Sequence, residues 1–186
     1  MKRGAIVAAA GRRIDPDDAT FTRFPSAAIH ETRRRINDTL VRSGATSLVT
    51  SAACGADLLA LSAAADLRLR RRVILPFDPE RFRETSVIDR PGDWGPLFDE
   101  TLLQLQAAGD VLILPESLDD NGYAAVGEAV LVEAERIARE NGDRLVAMVV
   151  WDGRPRPGVD LTARFRESAG RRGFEIVDVL TLGSHG

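Results

Sequence analysis

The sequence predicts an α/β protein: a three-layer, Rossmann-like domain with a mainly parallel sheet of about six strands. Short apolar runs alternate with helical patterns along all 186 residues. The run Leu145 to Val150 is apolar without period-two alternation, as expected of a strand covered on both faces. Glycines stand where helices should end, at Gly44, Gly109, Gly142 and Gly173.

Taken in order, the strands are expected at Ala5–Ala9, Ser47–Val49, Val73–Leu75, Val111–Leu114, Leu145–Val150 and Glu175–Leu180, with Val146–Val150 central and Glu175–Val179 towards an edge. An alanine- and leucine-rich helix is expected over Leu58–Leu69, and Arg68, Arg70, Arg71 and Arg72 then read as its solvated C-terminal end, where cations complement the dipole. A helix from Trp94, with Asp93 as N-cap, places Leu97, Phe98, Thr101, Leu102, Leu105 and Ala108 on one face. Asp160 similarly caps Leu161–Arg172. The proline-rich stretches Pro76–Pro96 and Pro155–Pro157 read as loops at strand ends. No repeat or linker divides the chain, so residues 1–186 are expected to form one domain.

Composition removes several classes of function. With 44% apolar and 28% charged residues and a net charge of −3, no bulk attraction to nucleic acid or an anionic membrane is expected. One cysteine excludes an internal disulfide, and the first strand follows Met1 with no signal-like segment, so a cytoplasmic protein is expected. Lysine occurs once, at Lys2, which argues against a Schiff-base or phosphate-loop lysine. No Cys/His cluster has metal-ligand spacing, and neither a metal nor a cofactor is expected.

Ligands of such sheets bind beyond the carboxyl ends of the strands, near the point where strand order reverses. Thr50-Ser51-Ala52-Ala53-Cys54-Gly55-Ala56-Asp57 runs from a strand through glycine into a helix, which would leave backbone N–H groups free at the positive end of a helix dipole. Gly55 would let backbone approach a ligand, Ser51 could donate a hydroxyl, and Asp57 suits ribose hydroxyls or the loop's own N–H groups. An ordinary capped turn explains the same residues equally well. Gly11-Arg12-Arg13 offers two guanidinium forks after the first strand, against the alternative of a solvated basic loop. Pro76 to Val87 reads as a long loop; Phe77 or Phe82 could stack on a base, although an aromatic under a loop is more often satellite core. Pro115 and Trp151-Asp152 end the fourth and fifth strands. Cys54 has no credible base, since the histidines are His30 and His185, and Glu133 and Glu135 read as solvated helix face.

The chain resembles the SLOG superfamily, the Rossmann-like group that includes the Lonely-guy phosphoribohydrolases and DprA. The likeness rests on Ala10–Asp15 with Arg23-Phe24-Pro25, on Ser51–Asp57, on Leu75-Pro76-Phe77 with Phe82 and Thr85-Ser86-Val87, and on Trp151-Asp152-Gly153. It is similar to bacterial SLOG domains that stand alone or join signalling modules. The resemblance implies a pocket for a nucleotide or nucleotide-derived small molecule, in a fold that is often a homodimer. The ligand-binding set is then Gly11, Arg12, Arg13, Ser51, Cys54, Gly55, Ala56, Asp57, Pro76, Phe77, Ser86, Pro115, Tyr123, Trp151 and Asp152. The phosphoribohydrolase signature, Pro-Gly-Gly-x-Gly-Thr-x-x-Glu, is missing: its place reads Leu114–Tyr123, and Glu128 is the one candidate for its catalytic glutamate. A binding or sensing module is therefore expected; the alternatives are a nucleotide-processing hydrolase, cleaving an N-glycosidic or phosphate bond, and a protein-interaction module.

Overall fold

A computed structural model describes residues 3–115 and 121–183. Six strands form one parallel sheet: β1 (Ala5–Gly11), β2 (Ala45–Thr50), β3 (Arg70–Leu75), β4 (Val111–Ile113), β5 (Arg144–Trp151) and β6 (Glu175–Leu180). Their order is β4-β3-β2-β1-β5-β6, so β5 is interior and β6 lies at an edge, as its sequence suggests. The helices are α1 (Ile29–Ser43), α2 (Ala56–Asp66), α3 (Pro79–Ser86), α4 (Trp94–Ala107), α5 (Asn121–Asn141) and α6 (Leu161–Arg171).

Strand alternation divides the core into two layers. Val7, Ala9, Val146, Met148 and Val150 pack with α1, α2 and α4, whereas Ile6, Ala8, Ala147, Val149 and Trp151 pack with α5 and α6. Both faces of β1 and β5 are thus covered, which is why those strands read as unbroken apolar runs. The stop glycines take positive φ, and Gly44 caps α1 in the left-handed conformation at φ 65°.

Several sequence expectations are corrected. Arg70–Arg72 open β3 instead of ending α2. Arg68 itself adopts φ 55°, and the N–H groups of Leu69 and Arg68 close on the carbonyls of Ala64 and Ala65, so the stop is a glycine-type cap built without glycine. Within Pro76–Pro96, Asp78 accepts from the Arg81 N–H at 2.9 Å with Pro79 in the first turn, and α3 forms where a loop is expected. Pro96 sits in the first turn of α4, where its missing N–H breaks no helical bond. Asp93 occupies that helix's N-cap position without a side-chain bond, and Ala108 is an exposed C-cap. Glu133 is not a solvated residue: it is buried beside Arg72 (2.7 Å) and Arg136 (2.8 Å).

Candidate functional site

The strand order reverses between β1 and β5, whose following segments leave over opposite faces of the sheet. A crevice opens there. It holds a cavity of about 690 Å³, floored by Ala9, Ala10 and Gly11 at the end of β1. One wall is Ser51, Ala53 and Asp57 from the β2–α2 turn, with Phe82, Thr85 and Ser86 of α3. The other is the N-terminal half of α5, from Tyr123 to Val130, and the first turns of α6, with Thr162, Arg164 and Phe165.

The β2–α2 turn differs from a fully open anion nest, because several of its N–H groups are used internally. Cys54 N–H donates to Ser86 O (3.0 Å), Ala56 N–H to Arg12 O (3.1 Å) and Leu58 N–H to Ala53 O (3.2 Å). Asp57 accepts from Ala53 N–H at 3.2 Å and from the Thr50 hydroxyl at 3.3 Å, which is the loop-holding role named above. Desolvation lifts its carboxyl from the ordinary aspartate value to about 7; those two bonds and the nearby charge of Arg13 oppose the rise without cancelling it. Gly55, at φ 89°, serves the chain and not a ligand: a Cβ there would lie 2.8 Å from Arg12 O and 2.9 Å from Ile14 N. Gly11 does line the cavity, yet its own requirement is also internal, since a Cβ would sit 2.3 Å from Val150 O.

The two arginines after β1 part company. Arg12 turns away from the cavity and is 3% exposed. It grips Asp160 through both terminal nitrogens (2.7 and 2.9 Å), Asp152 through Nε (3.0 Å) and the carbonyl of Arg154 (2.8 Å). Arg23 adds a second bond to Asp152 at 2.7 Å. Burial opposes charge on both sides, but the hydrogen bonds win: Arg12 is held above its ordinary value, and the Asp160 carboxyl is held at about 2 by Arg12 and by the N–H groups of Arg156 and Ala163. Asp160 therefore caps α6, as expected, and also anchors the first-strand loop. Arg13 stays at the cavity, paired with Asp89 and lying against the Cys54 thiol.

Of the other residues singled out in the sequence, Ser86 and Tyr123 line the cavity, their hydroxyls 2.9 Å apart, with Thr85 Oγ1 3.1 Å from the Tyr123 hydroxyl. Phe77 is core, edge-on to Tyr123, and Phe82 is core that also touches the cavity. Cys54, Ala56 and Pro76 are buried outside it, and burial pushes the Cys54 thiol up. Trp151 is buried, donating to Asp178 at 2.9 Å; Asp152 is spent on Arg12 and Arg23; Pro115 is exposed and not in the wall. Glu128 reaches the cavity edge but pairs with Arg172 at 3.0 Å, and bonding to Ser168 and Arg172 holds it below the usual carboxylate range. Glu116 to Asp120, half of the segment that replaces the hydrolase signature, and His185 lie outside the described residues.

Thr85, Val126, Gly127, Thr162, Arg164 and Phe165 line the cavity and were not singled out as ligand-binding. The cap at Asp160 was the available signal for the last three, because the first turn of a helix that follows an interior strand overlooks the crevice. Among the described residues no three His, Cys, Asp or Glu side chains converge on a metal site, and no helix is long and apolar enough to cross a membrane.

No protein-family model and no curated protein matches the chain. Among solved structures it is similar to the DNA processing protein A (DprA) from Streptococcus pneumoniae, at 13% identity and a TM-score of 0.39, over 95% of this chain and 58% of that one.

Proposed function

We propose that the chain is a SLOG-type module that binds or senses a nucleotide or nucleotide-derived small molecule in the crevice between β1 and β5. The observation that carries this reading is the cavity of about 690 Å³, within the range of small-molecule sites, whose lining combines apolar side chains with hydroxyls, a carboxylate and guanidinium groups. Val126, Val130 and Phe165 suit a planar base, the hydroxyls of Ser51, Ser86 and Tyr123 with Asp57 suit ribose, and Arg13 and Arg164 suit an anionic group. The motif resemblance adds a homodimer to this proposal, and the composition adds a cytoplasmic setting.

Gly127 provides the test. A Cβ there would meet nothing nearer than Phe165 Cδ2 at 3.8 Å, so Gly127→Leu has room for its Cβ, directs further carbons into the cavity and improves helix propensity. Calorimetry with adenosine, guanosine and their monophosphates should show binding to the wild type and its loss in Gly127→Leu, at a melting temperature no lower than that of the wild type. Equal affinities in the two proteins would reject the site.

One observation favours a hydrolase as the second reading: Asp57, titrating near neutrality in a cavity, has the property of a general acid or base. Glu128, held ionised by Arg172, is the poorer candidate. Release of free base from monophosphates, followed by chromatography and abolished in Asp57→Asn, would establish that reading over simple binding.

A further inference from the structure

The Arg12 side of the β1–α1 segment carries a cleft of about 580 Å³ that shares Gly11, Arg13, Leu161 and Thr162 with the first cavity. The two spaces therefore adjoin at the end of β1. Their chemistry differs. The second cleft is lined by five arginines, Arg12, Arg13, Arg23, Arg90 and Arg156, facing the carboxylates of Asp15 and Asp160.

The carboxylates that line this cleft, and those of Asp152 and Asp89 beside it, are already engaged. Asp160 and Asp152 hold Arg12 and Arg23, and Asp89 holds Arg13 with Arg90 3.6 Å away. Asp15 accepts from the N–H groups of Arg23 and Phe24, both at 2.9 Å. Arg156 is left over. Its backbone N–H bonds to Asp160 at 2.6 Å, but its guanidinium makes no ion pair among the described residues. Partial burial and the charges of Arg12 and Arg23 hold it below the ordinary guanidinium value, although Asp160 and Asp152 partly offset them. Arg156 is exposed beside the cleft, a cation set among cations whose guanidinium is open to an anion.

We infer that this arginine-lined cleft is an anion subsite that takes the phosphate or pyrophosphate group of a ligand whose other end occupies the first cavity. The guanidinium groups of Arg156 and Arg90 supply charge-assisted hydrogen bonds, while the Arg12 lock fixes the loop that carries Arg156. Only the identity of the ligand's other end rests on the proposed nucleotide reading. The favoured class is accordingly a nucleoside carrying two or more phosphates, long enough to cross from one space to the other.

The test uses the full chain and two kinds of probe. Inorganic pyrophosphate alone, titrated by calorimetry at low salt, should bind the wild type and lose roughly tenfold in affinity in Arg156→Ala, and again in Arg90→Ala. Arg139→Ala, an exposed arginine on α5, should change nothing. Arg156→Ala should melt at the wild-type temperature or above it, because it removes repulsion and no bond. With adenosine and adenosine diphosphate, the extra affinity of the diphosphate should vanish in Arg156→Ala. Pyrophosphate that binds equally to wild type, Arg156→Ala and Arg90→Ala, or not at all, overturns the subsite even if adenosine binds in a Gly127-dependent way. Pyrophosphate binding that depends on Arg156, with no nucleoside binding, upholds the subsite and removes the nucleotide reading.

Discussion

Arg12 and Arg13 leave β1 side by side, yet Arg12 is enclosed by Asp152 and Asp160 while the Arg13 side chain is 29% exposed beside the cavity. The backbone explains the divergence. Arg12 N–H continues the pairing with Val150 O at 2.8 Å, and Arg12 O accepts from Ala56, so this residue is clamped between β5 and α2. Its side chain faces the α6 cap, and that of Arg13 faces the crevice. One guanidinium is thereby committed to holding the loop, and its neighbour lines the cavity, paired with Asp89. The same division separates Gly55, whose missing Cβ admits the Arg12 backbone, from Ser51 and Asp57, which present side chains to the cavity.

The comparison is broken most severely at Arg12. Arg12→Ala leaves Asp152 with only Arg23 and strips Asp160 of its cationic partner inside the fold, a change expected to cost about 3–5 kcal/mol in urea unfolding. A loss below about 1 kcal/mol would mean that the lock is relaxed in solution.

Asp57 gives an intermediate effect with a definite sign. Its carboxyl titrates near 7 folded and near 3.8 unfolded, so the native state holds the proton more tightly. Stability should fall as pH rises from about 4 to about 7 and then level off at the lower value, opposite to a salt-bridged aspartate such as Asp160. Asp57→Asn keeps the hydrogen-bonding shape and removes the titration. It should be more stable than wild type at pH 8 by about 1–2 kcal/mol, allowing for solvent in the open cavity, and indistinguishable at pH 4. Parallel stability profiles for the two proteins would show that Asp57 is solvated.

Arg13 should matter least for folding and more for binding. Its pair with Asp89 is partly exposed, so Arg13→Ala is expected to lose less than about 1 kcal/mol of stability. The same variant should weaken nucleoside monophosphates more than the parent nucleosides. Equal weakening of both in calorimetry would assign Arg13 to the wall and not to the anion.

Much of the architecture was legible because it depends on local periodicity. Unbroken apolar runs marked β1 and β5, glycines marked four turns, and Asp160 marked the start of α6. The errors fell where one residue type serves two structures. Arg70–Arg72 read equally as a helix end or a strand entry, and only the left-handed Arg68 and pairing with β2 make them strand. Asp78-Pro79 was a readable helix start, masked by the prolines around it. In the site, the turn after β2 and the end of β1 were found, but the α6 wall was not. Phe165 and Arg164 reach the crevice only because β5 lies next to β1, a neighbour relation between segments far apart in the chain.

By itself, the sequence determined the α/β class, the glycine stops and the strand ends at which a site would form. These follow from hydrophobic periodicity and the backbone freedom of single residues. Only the tertiary structure decided which charges are free. Whether a guanidinium is locked or open depends on the carboxylates that folding brings to it, and Arg12 meets Asp160 across 148 positions of chain. Adjacent arginines with the same local sequence chemistry thus acquire different work, because desolvation and pairing are properties of the packed neighbourhood and not of the residue.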